Sequence, residues 1–198
     1  MEKTSVKVYI ARIPDFVEIG EVFPFERNIE IQECKNEEKK KEKYCAWKLL
    51  EYALKNELNE DIKNIKFAKD KNGKWKCDKC YFSLSHSSSL VAVALSYESV
   101  GADIEKNREI KTPIYKKILS DSEIKEMEQA QDKNEYILKK WTQKESVFKA
   151  QEEQEYNLKK ADTKNSKTFS ILHNNSEYFV SVATKNLDKI TIIKDIKL

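Results

Sequence analysis

"SVGADIEKNR", residues 99–108, sets Val100, Ala102 and Ile104 on one parity and Gly101, Asp103 and Glu105 on the other. In a β-strand successive side chains face opposite ways, so the stretch predicts a strand whose apolar trio enters a core. Its two carboxylates then project together from the other face. Like charges held side by side on a rigid strand repel, and the rest of the chain must explain what relieves them.

Working outward, "YFSLSHSSSLVAVALSYESVGADIE" (81–105) contains two apolar runs parted by a serine-rich turn. It predicts a hairpin leading into the quoted strand. Upstream, residues 37–58 are good helix formers with an apolar face at Tyr44, Trp47, Leu50, Ala53 or Leu54, and Leu58. Met1 to Asp15 reads as strand-like. Downstream, Ser120 or Ser122 caps a helix with an acidic first turn, and "NEYILKKWTQKESVFKAQ" (134–151) predicts a longer one. Strands return in "TFSILHN", "YFVSVAT" and "ITIIKDI".

The chain repeats itself. "FSLSHSSS" (82–89) matches "FSILHNNS" (169–176), and "VAVA" (91–94) matches "VSVA" (180–183). Trp47, Glu51 and Lys55 match Trp141, Glu145 and Lys149, each set on one face of a helix. Matches in the same order at similar offsets predict a duplication. The expected fold is α+β, a pseudo-twofold pair of similar subdomains, each a long helix packed on a small antiparallel sheet. The halves are placed at 1–98 and 99–198, with the active site in the cleft between them.

Composition narrows the function. The chain has 198 residues, of which 36% are charged, and a formal net charge of only +3. Basic and acidic residues are nearly balanced in both halves, and no basic stripe interleaves with aromatics, which argues against a nucleic-acid binder. No secretory leader or membrane-spanning run is visible, so a cytoplasmic address without a membrane partner is expected. There Cys34, Cys45, Cys77 and Cys80 read as reduced thiols. The C-x-x-C of "WKCDKCYF" lacks a second pair of ligands at zinc spacing and reads as two thiols beside a strand.

Two further stretches carry chemistry. In "KKWTQKESVFKA" (139–150) Trp141, Glu145 and Lys149 share a helix face, with Phe148 beside them and Lys144 next to the acid. Read alone, the Glu–Lys pair is equally an ordinary exposed i, i+4 contact. In "FSLSHSSS", His86 lies where a strand yields to a turn of small residues. Such a turn receives an anionic oxygen, or is simply a hairpin with a satisfied histidine.

Taken in order, "SHS" (85–87), "VGADIE" (100–105) and "WTQKESVFK" (141–149) resemble the 4′-phosphopantetheinyl transferases. Within them the chain resembles the surfactin-synthetase-activating type, whose single chain holds two similar halves and acts as a monomer. "Gly73-Lys74" resembles that family's "GKP" loop, with Trp75 in place of proline. The resemblance implies transfer of the phosphopantetheine arm of coenzyme A to a serine of an apo acyl or peptidyl carrier protein. It implies Mg2+, or Mn2+, held by Asp103, Glu105 and Glu145, with the cation relieving the repulsion between the acids. Lys149 and Lys144 would contact phosphate oxygens; Ser85 and His86 would hold the pyrophosphate or the 3′-phosphate. Lys74 would lie near the adenosine, Lys43 would replace a basic contact on the first long helix, and Glu123 would help deprotonate the serine. A catalytically inactive relative that binds carrier protein or coenzyme A is the alternative reading.

Overall fold

Side-chain caps set the helices. Asn36 accepts the Lys39 N–H at 2.9 Å to begin the first long helix, and Asn59, at φ 53°, ends it. Ser120, not Ser122, is the N-cap downstream, in a capping box with Glu123. Asp132 caps the last helix through the Glu135 N–H. The computed structural model describes residues 5–110, 114–151 and 156–198, so the first four residues of the strand-like N-terminus fall outside it.

The chain runs β1 (Val6–Arg12), α1 (Phe25–Gln32), α2 (Glu37–Leu58), β2 (Phe67–Lys69), β3 (Trp75–Cys77), β4 (Tyr81–Ser87), β5 (Leu90–Ser96) and β6 (Gly101–Lys106). It continues through α3 (Tyr115–Ile118), α4 (Asp121–Gln129), α5 (Lys133–Ala150), β7 (Ser166–His173), β8 (Ser176–Ala183) and β9 (Ile190–Ile196). One sheet has the order β4-β5-β1-β9 and another β6-β8-β7, with β2 and β3 a separate pair. Without β9, both larger sheets are a hairpin plus one antiparallel strand from earlier in the same half. A long helix lies between that strand and the hairpin in sequence. The fold is therefore α+β and duplicated. The C-terminal strand crosses over: β9 runs parallel to β1, with Val6 beside Ile190, while the other pairings are antiparallel.

Topology carries the duplication, and the short sequence matches do not. Trp47 is fully buried, whereas Trp141 lies only partly buried against Ile118, Leu119 and Met127. His86 sits opposite Val91, one step before its hairpin closes; His173 closes its own hairpin opposite Ser176. Matched letters thus occupy unmatched places.

The layers explain the apolar runs. Every residue of β5 is buried because both faces of its sheet are covered. Val91, Val93 and Leu95 meet Trp47 and Leu50 of α2. Leu90, Ala92 and Ala94 meet Ala102, Ile104, Val180 and Val182 of the second sheet. α5 covers the far side of that second sheet, giving the order helix, sheet, sheet, helix. Trp47 also packs against Phe67, Trp75 and Phe82, which pins the β2–β3 hairpin beside β4. Among the described residues no helix is long and apolar enough to cross a membrane.

The two helices bury different mixtures. α2 buries Leu49, Leu50, Ala53 and Leu54 among its apolar set, while α5 buries Thr142, Lys144 and Ser146 beside Ile137, Leu138 and Val147. Thr142 hydrogen-bonds Ser181 of β8 at 2.7 Å, and Ser146 bonds Ser166 of β7 at 2.9 Å, so this polar interface is satisfied. Gly101 lets the end of α5 settle on β6: a Cβ there would lie 1.9 Å from the Ser146 carbonyl oxygen and 2.5 Å from the Ala150 nitrogen. Both are backbone atoms, which cannot swing aside. Gly101→Ala is expected to destabilise the fold by about 3 kcal/mol, the upper part of the overpacking range, as read from its denaturant midpoint.

Candidate active site

The first feature of the site is a ladder of serines. Ser83, Ser85 and Ser87 alternate along β4 and all face β6. Their hydroxyl oxygens accept the backbone N–H groups of Ala102, Ile104 and Lys106 at 3.0, 3.2 and 3.0 Å. The same hydroxyls donate onward: Ser85 to Asp103 Oδ1 at 2.8 Å and Ser87 to Glu105 Oε2 at 3.0 Å. Side chains of the first half thereby supply the edge pairing of the strand that bears the acids.

Asp103, only 6% exposed, is the hub. Its Oδ1 also accepts Lys149 Nζ at 2.7 Å, and the same ammonium reaches Ser85 Oγ at 3.0 Å. Its Oδ2 is buried with no hydrogen-bond partner among the described residues. Burial and then the Asp103 charge push Glu105 above the usual carboxylate range, against the pull of Ser87, Arg108 and Lys149. Glu145 is also raised, by burial and by Asp103, despite a hydrogen bond from the Tyr156 hydroxyl. The acids of the strand and of the helix therefore share one electrostatic field.

The other predicted residues divide. Lys74 Nζ donates to the Lys149 carbonyl, so the β2–β3 hairpin touches the end of α5. It leaves from Gly73, whose φ of 79° suits glycine. His86 faces away from the serine ladder: its Nδ1 lies 3.1 Å from Glu42 Oε2 of α2. Burial lowers its pKa and Lys149 and Lys43 add to the lowering, against the charges of Glu42 and Asp103. Ser85 and His86 thus point to opposite faces of β4, with Ser85 engaged by Asp103, Ile104 and Lys149 inside the fold. Lys43 is a charged neighbour of His86.

Lys144 and Glu123 pair with each other. Lys144, 0% exposed, donates to Glu123 Oε2 at 2.6 Å and to the Ile118 carbonyl at 3.0 Å. Burial alone would raise Glu123, but Lys144, the Ser120 N–H and Lys140 outweigh it and hold the carboxyl below its usual range. The pair fastens α4 to α5. Sequence reading gave Ser87 no role beyond its place in "SHS", and it missed Tyr156 and Glu42 as site residues. For Ser87 the signal was present, as the period-two serines of "FSLSHS"; nothing in the sequence links Tyr156 to Glu145.

The donor set suits a hard divalent cation: three carboxylates, two of them raised by burial and then by the charge of the third, and one orphaned buried oxygen. Their side chains do not converge as they stand. Among the described residues no three His, Cys, Asp or Glu side chains form a group that could hold a metal ion. Glu145 is engaged by Tyr156, and Glu105 by Ser87 and by Arg108 at 3.6 Å. A cavity of about 660 Å³ lies elsewhere, on the outer side of α2 between Phe16, Tyr44, Lys48 and Tyr52, and none of the candidate residues lines it.

Residues 99–188 match the family model of the 4′-phosphopantetheinyl transferase superfamily. That span holds Asp103, Glu105, Glu123, Lys144, Glu145 and Lys149, and it excludes the serine strand. The match supports the superfamily and, with it, phosphopantetheinyl transfer in general. No curated protein matches the chain.

Two substitutions separate the site from its supports. Ser87→Ala removes the hydroxyl that lowers Glu105, so the Glu105 carboxyl should titrate at higher pH in a carbon-detected NMR titration. Glu123→Gln leaves Lys144 buried without its counter-ion and should cost about 3 kcal/mol at pH 7. Because Glu123 is depressed in the fold, its contribution exists above the ordinary glutamate range and is lost as pH falls through the folded value. The gap between wild type and variant in unfolding experiments should close on acidification.

Proposed function

We propose that this chain transfers the 4′-phosphopantetheine arm of coenzyme A to a serine of an apo acyl or peptidyl carrier protein. The products are the holo carrier and adenosine 3′,5′-bisphosphate. The observation that carries the reading is the Asp103 hub, where Lys149 and Ser85 hold an acid with an orphaned oxygen, and whose charge reaches Glu105 and Glu145 at the seam between duplicated halves. The duplication within one chain favours the two-halved, surfactin-synthetase-activating type working as a monomer.

In this reading Asp103, Glu105 and Glu145 would hold Mg2+, with Mn2+ the alternative, and the cation would neutralise the pyrophosphate. Lys149 exchanges its hold on Asp103 and Ser85 for a phosphate oxygen and stabilises the charge that grows there. Ser85 positions Asp103, and Lys74 positions the end of α5. His86, with Lys43 beside it, contributes a hydrogen bond to the phosphate end of the donor. The carrier serine attacks the pyrophosphate phosphorus, the bond to adenosine bisphosphate breaks, and the serine proton passes to a base. Glu145 fits that role better than Glu123, since Glu145 already accepts a hydroxyl hydrogen bond, from Tyr156, and Glu123 is held by Lys144.

Intact-mass spectrometry of an apo carrier with this protein, coenzyme A and Mg2+ tests the reading. The carrier should gain one phosphopantetheine on its serine. The gain should vanish with EDTA, and Asp103→Ala should lower the rate at least about 100-fold, the scale of losing one preorganised electrostatic group. Coenzyme A binding without any gain on fatty-acid, polyketide or peptidyl carriers would turn the reading to the inactive binding relative.

A further inference from the structure

Cys77 and Cys80 take no part in the reaction just described, yet they form a built pair. Cys77 ends β3 opposite Phe67, and Cys80 stands just before β4. Their sulfurs are 3.9 Å apart. The intervening turn is anchored at both ends of one residue: the Asp78 N–H donates to the Lys66 carbonyl at 3.1 Å, and the Asp78 carboxylate accepts the Lys66 N–H at 3.1 Å. Cys77 is partly exposed and Cys80 is only 8% exposed, so an attacking and a resolving thiol are already distinguished by access. A disulfide needs sulfurs about 2.05 Å apart, so this pair has to close from 3.9 Å within an anchored turn.

We propose that Cys77 and Cys80 are a redox-active dithiol that forms a reversible disulfide by exchange with low-molecular-weight disulfides. The Cys77 thiolate attacks one sulfur of the small disulfide, making a mixed disulfide and expelling the first small thiolate. Cys80 sulfur then attacks Cys77 sulfur, forming the intrachain bond and expelling the second, while the Cys80 proton passes to a departing thiolate. Two electrons leave the protein and reduce one small disulfide to two thiols. The surroundings favour Cys77 as attacker: the Cys80 thiol and the backbone N–H groups of Cys80 and Lys79 donate to its sulfur. They bring its pKa down to about 6 against burial and the Asp78 charge, while the same hydrogen bond and burial raise Cys80. As a neutral thiol Cys77 instead donates to the Cys80 carbonyl at 3.2 Å. Cys45, by contrast, is buried and raised to about 11.

The experiment titrates the full chain with oxidised glutathione at neutral pH and reads intact mass and disulfide-mapped peptides. Wild type should lose two hydrogens, with the bond mapped to Cys77–Cys80, and dithiothreitol should reverse it. Cys80→Ser should stop at a glutathione adduct on Cys77. A wild-type chain that keeps its reduced mass, a bond mapped to Cys34 or Cys45, or a Cys80→Ser chain without adduct on Cys77 would each overturn the proposal.

Discussion

Three serine hydroxyls join the two halves of this molecule. β4 and β6 are edge strands of different sheets, and a sheet edge exposes N–H groups that must find partners. Here Ser83, Ser85 and Ser87 take the place of a neighbouring strand, accepting from Ala102, Ile104 and Lys106. Each hydroxyl has one proton left to donate, and two of the three give it to Asp103 and Glu105. The bonds that close the seam also aim the carboxylates. Fold and site are therefore one construction at this edge.

The duplicated halves have diverged in what they bury. α2 lays Trp47, Leu50 and Leu54 on its sheet, a large apolar contact that stabilises without directional demands. α5 lays Thr142 and Ser146 on the second sheet and fixes its register through hydroxyl pairs to Ser181 and Ser166. Such an interface contributes less through burial, but it tolerates few alternative alignments, because each slip would strand a buried hydroxyl. Gly101 brings the helix close enough for Lys149 to reach Asp103. α5 thus adds hydroxyl pairing to its apolar contacts and holds Lys149 against Asp103.

Much of the fold was legible in the sequence. The first long helix, the two hairpins and the strand bearing Asp103 follow from periodicity and caps, because amphipathic faces and capping side chains are local properties. The parallel pairing of β9 with β1 was not legible, since it joins residues from opposite ends of the chain. The repeat was legible in kind, although its matched letters are out of place: His86 and His173 stand one step apart in their hairpins. Among candidate residues, Lys144 and Glu123 are both charged and near the motif in sequence, and only packing assigns them to each other.

What the sequence alone determined is the inventory and its order: a serine-rich stretch with His86, then alternating acids on a strand, then a helix bearing Glu145 and Lys149. Local physics suffices for these, because spacing along a strand or helix decides which side chains share a face. Only the tertiary structure decided that the serines face the acids, that Lys149 bridges Asp103 and Ser85, and that His86 turns instead toward Glu42. Those contacts cross between elements far apart in the chain, and their partners are chosen by which edges and faces the two buried cores leave adjacent.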